Sequence, residues 1–280
     1  MDRPLYLRPG AVEEALAALS ARKLSVLAGG TDFYPARVGH LVREDILDIS
    51  RIGELRGIAL EGGRWRIGAL TTWTDLLRAR LPALFDGLKR AAREVGGAQI
   101  QNAGTVAGNC CNASPAADGV PCLLALDAEV ELASLGERRR TPLSGFILGS
   151  RTTVRRPDEL VTALIVPDRG ARARSTFLKL GARRYLVISI AMVALTIDFD
   201  DGGKVTGAAV AVGACSPVAR RIPALEARLI GRQRSELAQQ VRPDDLSVLA
   251  PIADVRGTAE YRLEAAGQLI QRALRDLQDE

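Results

Sequence analysis

Apolar residues in this chain come in short runs, and glycine pairs stop them. SVLAGG at residues 25–30 ends on Gly29 and Gly30, GIALEGGRWRIGAL sets Gly62 and Gly63 between two apolar stretches, and VALTIDFDDGGKVTG breaks at Gly202 and Gly203. A glycine pair supplies the positive φ that a tight reversal needs, so these runs read as strands that end or turn back. Helical spacings stand between them. Val12, Ala15, Leu16 and Leu19 share one face of GAVEEALAALSARK, TTWTDLLRARL reads as a helix capped by Thr71 or Thr72, and LFDGLKRAAREV adds another. Strands mixed with short helices make an α+β chain.

Further along, AEVELAS and ELVTALIVP read as strands. A last helix from about Val255 carries Tyr261, Leu263, Ala266, Leu269, Ile270 and Leu274 on an apolar face. Between residues 96 and 122, GGAQIQNAGTVAGNCCNASPAADGVPC has little periodicity and reads as loop with short turns of helix. The 280 residues suit two or three domains at roughly 100 to 200 residues each. Changes in pattern place the divisions at 1–55, 56–170 and 171–280.

Several function classes are excluded. The longest apolar run, Leu186 to Ile197, is too short for a bilayer, which takes roughly 20 residues, so no membrane span is expected. Asp2, Arg3, Pro4 and Arg8 stand where a signal peptide turns apolar, which points to a cytoplasmic protein. Cys110, Cys111, Cys122 and Cys215 show no CxxC spacing, so they read as buried thiols rather than as ligands of zinc or an iron–sulfur cluster. The only histidine, His40, follows Gly39 in a loop and reads as a surface or structural residue. A net charge of +5 is spread over short arginine clusters with 4% aromatics, which suits solvated loops or a protein interface and not nucleic acid.

Two glycine-rich turns carry the chemistry: AGGTDF at 28–33, directly after a strand, and AGTVAGN at 103–109. Successive backbone amides in such turns can converge on a phosphate without a lysine, and a helix starting at Asp32 would add its dipole. A purely steric role is the ordinary reading of either turn alone. Together with Asn109, Asn112, Ser114 and Asp118 they offer donors for phosphates and an acceptor for ribose, as a dinucleotide needs. One histidine and no dense carboxylate cluster leave the chain without a general base. That is compatible with redox chemistry, in which the reactive atoms belong to a cofactor. No catalytic residue and no metal ligand is expected.

The order LAGGTDF, RIGALTTWTDL and QIQNAGTVAGNCCNASPAADGVPCLLALDAEVEL resembles the flavoprotein subunits of the xanthine dehydrogenase and carbon monoxide dehydrogenase family of molybdenum hydroxylases. The resemblance continues through DELVTALIVP, FLKLGARRYLVISIAMVAL, SPVARRIPALEARLIG and DVRGTAEYRLEAAGQLI, so it covers nearly the whole chain. It implies the vanillyl-alcohol-oxidase/PCMH-type FAD-binding fold: two α/β subdomains, followed by a C-terminal α+β domain with an antiparallel sheet and helices. It also implies FAD as cofactor, a [2Fe-2S] small subunit and a molybdopterin large subunit as partners in a heterotrimer or its dimer, and an external electron acceptor.

By position in the motifs, the resemblance implies that Leu27, Ala28, Gly29, Gly30, Thr31, Asp32 and Phe33 line the pyrophosphate. Thr105, Val106, Ala107, Gly108 and Asn109 would form a second phosphate and flavin loop, and Asp118 would bind ribose. Val161 and Lys179 match further cofactor contacts. Three departures stand out: Val106 and Ala107 replace Ile and Gly of the usual TIGGN, Gln101 replaces Arg, and Ser189 replaces Asp. The Ala107 methyl is expected to hinder close approach to phosphate unless its φ stays negative. No inserted cysteine-rich loop is present, so flavin is the only cofactor expected in this chain. Partner docking is expected to use a surface that includes Arg183 and Arg184. The rival readings are a self-contained FAD-dependent oxidase and a nucleotide-binding scaffold without redox function.

Overall fold

The computed structural model describes residues 4–279, so Asp2 and Arg3 of the charged start lie outside the described residues. Three sheets of three or more strands follow one another along the chain. The first is a parallel trio in the order β1-β3-β2, made of β1 (Tyr6–Leu7), β2 (Ser25–Leu27) and β3 (Ile46–Asp48). Parallel neighbours need crossovers, and α1 (Val12–Ala21) provides one. Its buried face is Val12, Ala15, Leu16 and Leu19, the expected set, packed with Leu47, Ile49, Ile52 and Leu55.

The second sheet is antiparallel, in the order β4-β5-β10-β6-β7. Strands β4 (Ile58–Glu61) and β5 (Arg64–Gly68) reverse through Gly62 and Gly63, at φ +55° and +73°, as a two-residue turn of left-handed residues demands. Helices α2 (Trp73–Arg78), α3 (Asp86–Glu94), α4 (Ala98–Ala103), α5 (Val106–Asn112) and α6 (Gly119–Ala125) then form one long excursion. Strands β6 (Glu129–Ala133) and β7 (Arg138–Pro142) come next, then α7 (Leu143–Phe146), the small pair β8 (Ile147–Gly149) and β9 (Thr152–Thr153), and the central β10 (Leu160–Pro167). Thr72 caps α2 in a reciprocal box with Asp75: each side-chain oxygen accepts the other's backbone N–H.

Strands β11 (Arg174–Leu180), β12 (Ala191–Phe199), β13 (Val205–Gly213) and β14 (Arg220–Arg221) form the third sheet, also antiparallel. The β12–β13 hairpin turns where Asp200 Oδ1 accepts the amides of Gly202 and Lys204. β12 alternates: Met192 and Ala194 face the core of the second sheet, while Val193, Leu195 and Ile197 face a separate core. That second core is closed by α8 (Pro223–Leu229) and α9 (Ala259–Asp279), whose Ala266, Ile270, Leu274 and Leu277 are fully buried. The architecture is α+β, as expected.

Five local expectations are corrected. No helix begins at Thr31 or Asp32; the chain makes a turn and then a single 3-10 turn at Pro35–Arg37. The polar stretch after Gly97 is mostly helical, as α4, α5 and α6, since its alanines favour helix where tertiary contacts hold both ends. The apolar run from Leu186 splits. Leu186 and Ile188 are exposed in a loop, with Leu186 at φ +52°, and the strand begins at Ala191. Cys111 is exposed, while Cys110, Cys122 and Cys215 are buried. Tyr261 is also exposed, at the open start of α9. Among the described residues, no helix is long and apolar enough to cross a membrane, and no group of His, Cys, Asp and Glu could hold a metal ion. His40 is exposed.

Candidate functional site

The chain leaves β2 at Leu27, a buried residue whose carbonyl accepts the Ile49 amide, and enters the half-buried turn Ala28–Phe33. Gly30 sits at φ +69°, which a side chain would strain. A Cβ on Gly29 would collide with the carbonyl of Ala103, so the first turn lies backbone to backbone against the start of the second. Tyr34 and Ala36 donate to the carbonyls of Gly30 and Asp32. Among the described residues, the amides of Gly29, Gly30, Thr31, Asp32 and Phe33 donate to no protein acceptor. Five adjacent amides without a protein partner in a half-buried turn are open to an outside acceptor, and an anion can take several of them at once.

Side chains pin this turn in place. Arg151 donates to Asp32 at 2.8 Å and to Asn112 at 2.9 Å, tying the first turn to the end of α5. The Arg37 guanidinium lies over the Phe33 ring at 3.7 Å and donates to the Phe33 carbonyl.

The second turn is differently provided for. Thr105 caps α5, its hydroxyl accepting the Gly108 amide at 2.9 Å, and the Val106 amide donates to the Thr71 carbonyl. Most early amides of α5 are therefore satisfied internally. Ala107 is 2% exposed with negative φ, and its methyl packs in the core with Val106 and Val161. Its negative φ meets the condition under which the methyl was expected to be tolerated. Val161, in β10, offers no polar side chain. The Ser114 hydroxyl accepts the Ala116 amide in the turn before α6.

Asp118 ends that turn and is buried. Lys179, on β11, donates to its Oδ2 at 2.7 Å, and Ser189 donates to its Oδ1 at 2.6 Å. Burial pushes the Asp118 carboxyl above the usual aspartate range, with the Lys179 ammonium and the Ser189 hydroxyl holding back part of the rise. Asn109 Oδ1 accepts the amide of Gly119, fixing the second turn to the residue beside Asp118. Thus the two glycine turns meet directly, Asp118 joins them through Asn109, and Lys179 joins through Asp118.

Residues 2–169 match the family described as the FAD binding domain in molybdopterin dehydrogenase, and residues 176–277 match the CO dehydrogenase flavoprotein C-terminal domain. The chain belongs to this flavoprotein family. It is 31% identical to the carbon monoxide dehydrogenase medium chain of Hydrogenophaga pseudoflava, over 96% of this chain and 95% of that one. It is 29% identical to the nicotinate dehydrogenase FAD-subunit of Eubacterium barkeri, over 98% and 96%. The structure of carbon monoxide dehydrogenase from Hydrogenophaga pseudoflava lacking the Mo-pyranopterin moiety superposes with a TM-score of 0.85, over 98% of this chain and 96% of that one, at 31% identity. The flavoprotein is an FAD-binding medium-type subunit of a molybdenum hydroxylase, an oxidoreductase.

Sequence reasoning missed two residues that hold the flavoprotein's site together, Trp73 and Arg151. Trp73, 1% exposed, donates its amide to the Gly104 carbonyl and fills the space a side chain on Gly119 would need. Arg151 carried no local signal, since its partners lie 119 and 39 residues away.

Proposed function

We propose that this chain carries electrons from a [2Fe-2S] small subunit to an external acceptor, within a heterotrimer, or its dimer, that also contains a molybdopterin large subunit. FAD supplies the redox chemistry when bound, exchanging electrons one or two at a time. The chain's own residues bind and orient it. One observation carries the reading: the run of unpaired amides from Gly29 to Phe33, facing the second glycine turn. A pyrophosphate fits such a run, because it needs several donors and no proton transfer.

In this reading Leu27 to Phe33 cradle the pyrophosphate, and Thr105 to Asn109, with Ser114, form the facing wall. Asp118, kept in place by Lys179 and Ser189, has lone pairs left for ribose hydroxyls. Val161 contributes packing beneath the second turn. Substrate oxidation is assigned to the large subunit. The divisions 1–55, 56–170 and 171–280 belong to the same proposal, supported by one larger sheet in each. So does a cytoplasmic location. The loop bearing Arg183 and Arg184, with exposed Tyr185, Leu186 and Ile188, is the surface proposed for the small subunit. The scaffold reading rested on Ala107, whose methyl lies in the core.

Acid precipitation of the purified chain tests the binding mode: FAD is expected in the supernatant, and flavin retained by the pellet would favour the covalent oxidase. Co-expression with the two subunits, followed by size-exclusion chromatography and metal analysis, tests the assembly. A flavin-containing chain that stays separate and turns over a substrate alone would overturn it.

A further inference from the structure

A cavity of about 540 Å³ opens between α3, β11 and α9, and five arginines line it: Arg90, Arg93, Arg183, Arg184 and Arg272. Glu94 is the one carboxylate in the lining. Arg90 is held by the Thr176 hydroxyl and lies 3.9 Å from Asp276. Arg183 donates to the Leu186 carbonyl, and Arg184 lies over the Tyr185 ring. Among the described residues, Arg93 and Arg272 have no acidic partner in ion-pair range. Lys179 also reaches the lining, but its ammonium is taken by Asp118.

We propose that this cavity binds a small ligand carrying two or more phosphate charges, at a site separate from the flavin cradle. Arg93 and Arg272 bring two positive charges to one space without an acidic partner in ion-pair range among the described residues, and like charges so placed repel unless something neutralises them. The guanidinium forks of Arg93 on α3 and Arg272 on α9 suit phosphate oxygens, which accept paired N–H bonds, and the Arg183–Arg184 loop at the rim is left to the small subunit. The volume lies within the roughly 300–1,000 Å³ of small-molecule sites. Phe177 and Leu269 give the cavity an apolar wall for the body of such a ligand. The site does not depend on the flavin reading, though β11 is a wall common to both.

Isothermal titration of the FAD-loaded chain with inorganic pyrophosphate tests this, at about 0.15 M salt, where screening within about 8 Å suppresses diffuse attraction. One site per chain is expected. The R93A/R272A double variant should bind at least about tenfold more weakly, as the loss of a charge-assisted contact implies, with flavin content and melting temperature unchanged. Gly30→Val should do the reverse, losing flavin and keeping the pyrophosphate site. No binding at millimolar pyrophosphate, or equal affinity in the double variant, overturns the proposal. Binding lost in Gly30→Val and kept in the double variant also overturns it, by placing the anion in the flavin cradle. Loss of the site once the partner subunits assemble overturns it in favour of a protein docking surface.

Discussion

The turn from Gly29 to Phe33 and the cluster of Asp118, Lys179 and Ser189 are built from opposite materials. The turn presents unpaired backbone amides and keeps side chains out: Gly30 is at φ +69°, and the Ala103 carbonyl occupies the place of a Gly29 side chain. The cluster buries a carboxylate and an ammonium whose side chains are 8% and 7% exposed. Backbone amides do not titrate and are carried by any sequence that tolerates the conformation. A buried ion pair titrates, and each partner is stranded without the other. One end of the site should therefore fail through strain and the other through charge.

Removing a partner should give the largest effect. Asp118→Ala leaves the Lys179 ammonium buried and unpaired, so unfolding free energy should fall by about 3–5 kcal/mol in denaturant titration. Lys179→Met in the same chain should recover most of it. A single-variant loss below about 1 kcal/mol, the worth of an exposed pair, would show that the pair is solvated and dissolve the contrast.

Gly30→Val probes the other end. A β-branched residue there meets positive φ and the Tyr34 ring together, and FAD affinity should fall by about 2–3 kcal/mol in fluorescence titration, by the same factor at every pH. A loss that varied with pH would mean that the turn acts through a titrating group.

Acidification should separate the two ends next. The Asp118 carboxyl is raised by burial, so it protonates at higher pH than an ordinary aspartate, and ribose loses a charged acceptor. FAD affinity should fall as pH is lowered through that raised value, and Asp118→Asn should flatten the profile. Folding has the opposite sign. A carboxyl raised in the folded state contributes stability that is full below its unfolded pKa and is lost as pH rises through the folded one. If affinity and stability moved together on acidification, Asp118 would not be the ribose acceptor.

Ser189→Ala should be mildest, lowering stability by about 1.5 kcal/mol, the low end for one hydrogen bond to a carboxylate, and moving the FAD pH profile further upward. Ser189→Thr, which keeps the hydroxyl, should restore the profile.

Much of this molecule is local and therefore legible in sequence. The Gly62–Gly63 reversal, the Thr72 cap, the apolar face of α1 and the hairpin at Asp200 each depend on neighbours within a few residues, where backbone sterics and periodicity decide the outcome. The glycine pair at 29–30 marks a place where only backbone fits.

Other features depend on distance along the chain. Ala107 looked obstructive beside glycine-rich relatives, yet its methyl is buried where α5 meets β10, a strand far along the chain. Asp118 read as a free acceptor until the fold brought Lys179 and Ser189 to it from 61 and 71 residues away, and Arg151 reached Asp32 from 119. The arginines of the α3, β11 and α9 cavity are scattered in sequence and converge only in the folded chain. Sequence by itself determined the elements, their turns and where backbone must approach closely, because those follow from φ, ψ and side-chain period. Which charges are paired, which methyls are buried and which donors stay unpaired was decided by tertiary structure alone, because burial and Coulomb energy act between groups that only packing brings together.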